Sequence, residues 1–429
     1  LIQRRFRVLI SAYACHPDRG AEANVAWNLV RELSQKHEIW VITRSTNREG
    51  IVNSPETWTL GVRWIYIDPP RVLTFWRIGK RGIPPFYAIW QWLARLEAID
   101  LLKHHAFDVS HHITIGTYLV PSPLSDLGPP LLFGPVGGGE QTPNGLSGYF
   151  SWKGKRDESL RDWARRTLER MDWLHHWFTA SAWTLAATPA TLTALRRLGV
   201  TRISLFPQSA TGGDAVERFI QQNPRSPRPA NRPLQLITAC RLVHWKAVEL
   251  AIQAVTSARS YGTDVHLTIL EEGPEQPHLR KLTHLLGISS YVSFRGRLPS
   301  LDQVYEAIQD SDALIHPSLH EAFGQACLEA LALGVPVICL NWGGPGLIVD
   351  ETCGFRIEPT TREETIAGLA NAIQKLHQEL TTGKDYGPAC VERSKAFQWK
   401  DMAAKIEEIY HQVLKQATTP TQQPTTNSR

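Results

Sequence analysis

The sequence predicts an α/β protein of two doubly wound, Rossmann-like domains that face a central cleft. Three observations lead there. Short apolar runs alternate with segments of helical apolar spacing, which is the signature of βαβ units on parallel sheets. That rhythm is interrupted by a stretch rich in Gly, Pro, Asn and Arg at 208–233, then resumes. At 429 residues the chain is long for one domain and sufficient for two.

In chain order, Arg7 to Tyr13 reads as a buried strand. Ala21 to Gln35 follows as a helix, with Val25, Leu29, Val30 and Leu33 on one face. Ile39 to Thr43 closes the first βαβ unit, and Val62 to Ile67, Val109 to Ile115 and Pro130 to Phe133 extend the sheet. Arg71 to His105 and Ser151 to Ala187 read as helices rich in Trp and Arg, and Thr201 to Pro207 returns to strand. The second series has strands at Leu234 to Cys240, Val265 to Leu270, Tyr291 to Arg295, Ala313 to His316 and Val335 to Leu340. Helices fall between them, at Ala247 to Ser260 and Gly324 to Leu333 among others, and Phe397 to Lys415 is a further amphipathic helix. The expected organisation is a first domain at 1–207, a linker at 208–233, a second domain at 234–396, a helix at 397–416 crossing back to the first domain, and a disordered Thr-, Gln- and Pro-rich tail at 417–429.

With 42% hydrophobic and 20% charged residues, the composition excludes disordered, collagen-like and coiled-coil proteins. The longest apolar runs fall far short of the ~20 residues a membrane-spanning helix needs. A net charge of +5, spread along the chain, does not point to nucleic acid, and no stretch carries a nucleic-acid motif. The six cysteines contain no CxxC pair, and Val8 to Ala12 is too short for a signal peptide, so a cytoplasmic protein is expected. Ten of the 15 tryptophans lie between Trp58 and Trp183. Beside arginines they suit a peripheral membrane contact, and equally a domain core with a solvated rim.

Candidate chemistry gathers where strands of the second series end. Arg241 leaves the end of the Leu234 strand and Lys246 opens the next helix. A guanidinium fork and an ammonium there can neutralise a diphosphate. The stretch from His316 to Glu329 places Glu321 on a loop, Gly324 at a helix start and Glu329 inside that helix. The helix N-terminus offers free N–H groups to a phosphate, and Glu329 can accept hydrogen bonds from a ribose. A pair of glutamates alone would more often be a dipole-satisfying acid and a surface acid.

Together these residues resemble glycosyltransferase family 4. Arg241 and Lys246 after a strand, Pro317-Ser-Leu-His-Glu-Ala-Phe-Gly, Leu328-Glu-Ala-Leu and Gly334-Val-Pro-Val look like that family's motifs, with Glu321 and Glu329 in its Glu-x7-Glu spacing. His111-His-Ile-Thr, Phe133-Gly-Pro-Val-Gly-Gly-Gly-Glu140 and Phe397-Gln-Trp399 resemble a bacterial branch of it. The resemblance implies the GT-B fold and retaining sugar transfer from a nucleotide-diphosphate sugar to a carbohydrate or lipid-linked acceptor. It also implies that no cofactor takes part. By the same resemblance Arg241 and Lys246 hold the diphosphate, Glu321 the donor sugar and Glu329 the ribose. Phe323, Gly324, Gln325 and Ala326 meet sugar and phosphate, and Arg297 and Leu298 meet the base. A histidine at the end of the Asp108 strand, His111 with His112 as fallback, stands near the donor sugar. Gly137, Gly138, Gly139 and Glu140 form a flexible acceptor-side loop.

Two departures stand out. The family's Gly-Gly in the first βα loop reads Arg19-Gly20, so Gly20 alone permits the tight turn. The late loop, Gly343 to Leu347, lacks the family's glutamate. Asp310-Ser-Asp312 spells the Asp-x-Asp of metal-dependent sugar transferases, but it precedes its strand and so lies at the wrong sheet edge; no metal site is expected. A sugar-nucleotide epimerase, a phosphorylase, or a non-catalytic nucleotide-sugar-binding subunit are the rival readings.

Overall fold

The computed structural model describes residues 4–17, 20–54, 61–70, 72, 83–146, 150, 152–172, 175–177, 181–208, 210–211, 215–225 and 232–418. Two parallel sheets organise them. The first has seven strands: β1 (Arg7–Ser11), β2 (Glu38–Arg44), β3 (Val62–Ile67), β4 (Val109–His112), β5 (Leu131–Val136), β6 (Trp183–Ala186) and β7 (Ile203–Leu205), in the order β3-β2-β1-β4-β5-β6-β7. The second has six: β8 (Leu234–Ala239), β9 (Val265–Leu270), β10 (Val292–Gly296), β11 (Ala313–His316), β12 (Val337–Leu340) and β13 (Gly354–Ile357), in the order β10-β9-β8-β11-β12-β13.

Both sheets reverse direction of winding beside their first strand, between β1 and β4 and between β8 and β11. Ligands of doubly wound sheets bind beyond the carboxyl ends of the strands at such switch points. The loops leaving β8 and β11 carry Lys246 and Glu321, so topology alone puts both at the ligand crevice of the second sheet.

Three differences from the sequence reading have physical causes. Within the segment read as helical from Ser151 to Ala187, Trp152–Glu169 is helix as expected, but Trp183–Ala186 is strand β6 between β5 and β7. Four residues with three buried give too short a run to override the helix-type pattern before them. The stretch read as a linker contains the helix Ala215–Gln222, whose Val216 and Phe219 join the core of the second domain. Strand β13, buried on one glycine and flanked by charged residues, carries too weak an apolar signal to be read.

The last helix, Trp399–Thr418, packs on the first domain. Its Trp399, Met402, Ile406, Tyr410 and Val413 share a core cluster with Phe6, Leu29 and Leu33. Its Glu407, almost fully buried, receives Lys36 Nζ at 2.7 Å. The helix runs two residues beyond the expected start of the tail, and 419–429 lie outside the described residues.

Candidate active site

Four consecutive constraints shape the crevice of the second sheet. β8 ends at Ala239, and the chain turns through the short helix His244–Lys246 into Ala247, which adopts a left-handed conformation (φ 48°) before the helix Val248–Ser260. β11 ends at His316, and the loop beyond it is tied to that turn, since Leu319 N donates to Trp245 O at 2.8 Å. Gly324 (φ 69°) then starts the helix Gln325–Ala332. A side chain at Gly324 would meet Pro345 N at 3.1 Å in a backbone region that costs L-residues 1–2 kcal/mol by about that order.

These turns bring Lys246, Glu321 and His316 together. Lys246 Nζ donates to Glu321 Oε2, and His316 Nε2 stands 3.3 Å from the same oxygen. Glu321 Oε1 accepts from Phe323 N at 3.3 Å, and its backbone oxygen accepts from Gly344 N at 2.7 Å. Burial pushes the Glu321 carboxyl up, but the His316 hydrogen bond and the Lys246 ammonium outweigh it and hold it well below the carboxylate range. The carboxylate is therefore charged at neutral pH. An anionic ligand at this edge would offer Lys246 a second partner.

Of the other residues read from the sequence, Glu329 lies inside the helix and accepts from Gln325 Nε2 at 3.1 Å. Arg241 is exposed at the end of β8, Arg297 is exposed and Leu298 is half-buried after β10. Gly20 (φ 71°) opens the helix Gly20–Ser34, and Arg19 lies outside the described residues.

Two expectations in the first domain change. His111 is fully buried with both ring nitrogens engaged: Nδ1 meets the Tyr410 hydroxyl at 2.6 Å and Nε2 meets Gly134 O at 2.9 Å. Burial pushes its pKa down to about 4, and with both nitrogens engaged within the protein the ring ties the last helix to the sheet. Strand alternation sends His112 to the other face, where it is equally buried and tilts against Phe133. The Gly137–Glu140 loop is braced rather than flexible. Glu140 Oε1 accepts from Thr188 Oγ1 at 2.6 Å and Thr191 Oγ1 at 3.0 Å, and its Oε2 accepts from Gly138 N at 2.8 Å. A Cβ on Gly139 would stand 2.5 Å from the Thr191 backbone, so only glycine allows that approach. Position 137 lies against Ala322 of the second domain, which sets this loop beside Glu321.

Asp312 is fully buried at the amino end of β11, with Oδ1 on Arg232 Nη2 at 2.8 Å and Oδ2 accepting Gln235 N at 2.8 Å. Both oxygens thus serve the second sheet, at the edge away from the crevice. A shallow cavity lined by Arg5, Arg7, Glu38 and Asp108 lies at the corresponding amino edge of the first sheet, away from every motif residue. Sequence reasoning missed His316, His244, His320 and Glu158. Their spacing shows no period, and only the folded loops bring them together.

Residues 219–382 match the family model described as glycosyl transferases group 1. The matched span contains Arg241, Lys246, Glu321 and Glu329 and nearly all of the second domain. The chain is 28% identical over 185 residues to a glycogen synthase of Mycobacterium tuberculosis, covering 43% of this chain and 44% of that protein. It is 31% identical over 161 residues to the putative colanic acid biosynthesis glycosyltransferase WcaL of Escherichia coli, covering 35% and 39%. The chain thus spans less than half the length of these curated relatives. The crystal structure of Anabaena Alr3699/HepE in complex with UDP matches across both domains, with TM-score 0.60, 16% identity and 95% and 100% coverage. At that identity the likeness is one of fold, and the fold is GT-B, as the resemblance implied. Among the described residues no helix is long and apolar enough to cross a membrane.

Proposed function

We propose that this chain is a retaining glycosyltransferase that moves a sugar from a nucleotide-diphosphate sugar to an acceptor hydroxyl, in glycan, glycolipid or polysaccharide biosynthesis. The observation that carries the reading is the charged Lys246–Glu321 pair at the switch point of the second sheet, facing the braced Gly137–Glu140 loop. The group 1 match over the same residues supports it, as do the UDP in HepE and the UDP-glucose in another structure of that protein.

In this reading Lys246 turns from Glu321 to the donor diphosphate, with Arg241 closing on its other side. Their charges offset the negative charge that grows on the leaving diphosphate. The acceptor oxygen bonds to the anomeric carbon as the bond from that carbon to the phosphate oxygen breaks. The acceptor proton passes to the departing phosphate on the same face. Glu321, ionised by Lys246 and His316, accepts hydroxyl hydrogen bonds from the sugar, and Glu329 does so from the ribose. Two cations serve the leaving group, so the reaction needs no metal. The acceptor is a carbohydrate or a lipid-linked sugar, met in the cytoplasm or at the inner face of a membrane.

The test is a panel of nucleoside diphosphates in thermal shift, followed by transfer from the matching sugar donor with the anomeric configuration read by NMR. A stabilising nucleotide, a retained anomer and turnover unchanged by chelator are expected. An inverted product or turnover restored only by manganese overturns the mechanism. Stabilisation by no nucleoside diphosphate overturns the donor class.

A further inference from the structure

The helix Trp152–Glu169 of the first domain reaches across to the two loops that carry Lys246 and Glu321. Its Glu158 is mostly buried and divides its carboxylate between two histidines of the second domain. Oε1 lies 3.3 Å from His244 Nε2, and Oε2 lies 3.0 Å from His320 Nε2. His244 stands two residues before Lys246, and His320 immediately precedes Glu321. The same Oε2 accepts from Arg161 Nη2 at 2.9 Å and Thr142 Oγ1 at 3.2 Å, and Arg161 Nη2 donates to His320 Nδ1 at 2.9 Å. Arg161 Nη2 also stands 2.8 Å from His320 Nε2, and Thr142 Oγ1 stands 2.8 Å from the same nitrogen, so the imidazole is held on both sides. Neighbouring contacts enclose the arrangement. Phe150 meets the His244 ring edge-on at 4.9 Å, and Trp342 Nε1 donates to Gln141 O at 3.1 Å.

We propose that Glu158 is a positioning residue for the nucleotide-sugar site. One carboxylate of the acceptor-side domain sets both donor-side loops by holding His244 and His320, and so makes the placement of Lys246 and Glu321 conditional on contact between the domains. The proposal rests on the glycosyltransferase reading. Three features carry it. The carboxylate has one oxygen for each loop. The loops it holds are those leaving the two strands of the switch point. Both also meet each other through the Leu319–Trp245 hydrogen bond, so a displacement of one moves the other. Burial pushes the Glu158 carboxyl up, yet His320, Arg161 and His244 together hold it down to about 2, so it stays charged at any working pH.

The test compares the full chain with Glu158→Ala and Glu158→Gln, using exposed Arg156→Gln on the same helix as control. Hydrogen exchange at residues 241–246 and 317–323 is read without ligand, and UDP affinity is read by calorimetry. Loss of the carboxylate is expected to speed exchange in both loops by about tenfold while β8 and β11 keep their protection. UDP affinity is expected to fall by about five- to tenfold, the scale of coupling between sites. The control is expected to match the wild type in both readouts. Unchanged exchange in the two loops overturns the proposal, and so do loosened loops with unchanged UDP affinity. Failure of the wild type to bind UDP is a failure of the UDP-donor reading instead. The exchange data then still decide whether Glu158 fixes the loops.

Discussion

Lys246 helps to set the state of Glu321. Removing the ammonium takes away one of the two groups that keep a buried carboxylate ionised and leaves that carboxylate short of a partner. Lys246→Ala is therefore expected to weaken nucleoside diphosphate binding by about 1.5–3 kcal/mol, the scale of a charged hydrogen bond, while leaving the uncharged nucleoside nearly unaffected. Calorimetry with both ligands checks this, and equal losses would mean that the lysine acts through structure. Glu321 and Glu329 separate in the same way. Glu321 sits on the loop beside the facing domain, whereas Glu329 lies inside the helix and bonds to Gln325. Interactions made only in the transition state change kcat, and uniform binding changes KM. Glu321→Gln is expected mainly to lower kcat and Glu329→Gln mainly to raise the donor KM. The reverse pattern in steady-state kinetics would exchange their places along the donor. The place of Lys246 and Glu321 at the carboxyl edge of the second sheet was legible from the strand ends, whereas their choice as site residues, with Glu329, came from the family resemblance. The inward turn of His111 was not legible, because which of two adjacent histidines meets Tyr410, 299 residues away, has no trace in the local pattern.

Most strands were legible, from long buried β2, where five consecutive residues are buried, to four-residue β11, buried throughout and set off from helical patterns on either side. β6 and β13, with four residues each, were hidden by their neighbours' patterns. The last helix was legible from its period, and its docking has a polar lock. Tyr410 donates to His111 Nδ1 while His111 Nε2 donates to Gly134 O, so the helix, β4 and β5 are joined through one imidazole. Tyr410→Phe keeps the packing and strands a buried acceptor, which costs about 1–3 kcal/mol. A lower Tm with unchanged nucleotide affinity is expected, measured by thermal unfolding and calorimetry on the same sample. Lost affinity at unchanged Tm would return His111 to the substrate site.

At the scale of the molecule, two domains and a cleft follow from the sequence, but the seam between the domains does not. Glu158 meets residues 86 and 162 positions further along the chain, and polar contacts at such distances impose no periodicity. Its carboxyl has a folded value of about 2 against an ordinary 4.5. Because the folded value is the lower one, the contact's stabilisation is complete above about pH 4.5 and is lost as pH falls toward 2. Small-angle scattering is expected to show the wild type expanding over that range. Glu158→Gln, lacking the titrating carboxyl, is expected to show a smaller change there, and identical profiles would remove Glu158 from the seam. The return of the Trp399–Thr418 helix to the first domain also bears on synthesis. On a ribosome adding about 5–20 residues per second, the last part of that domain's core emerges on the order of ten to forty seconds after its seventh strand. The domain translated first is thus completed last, and during that interval the surface around Phe6, Leu29 and Leu33 is left to chaperones or to the nascent chain's own collapse.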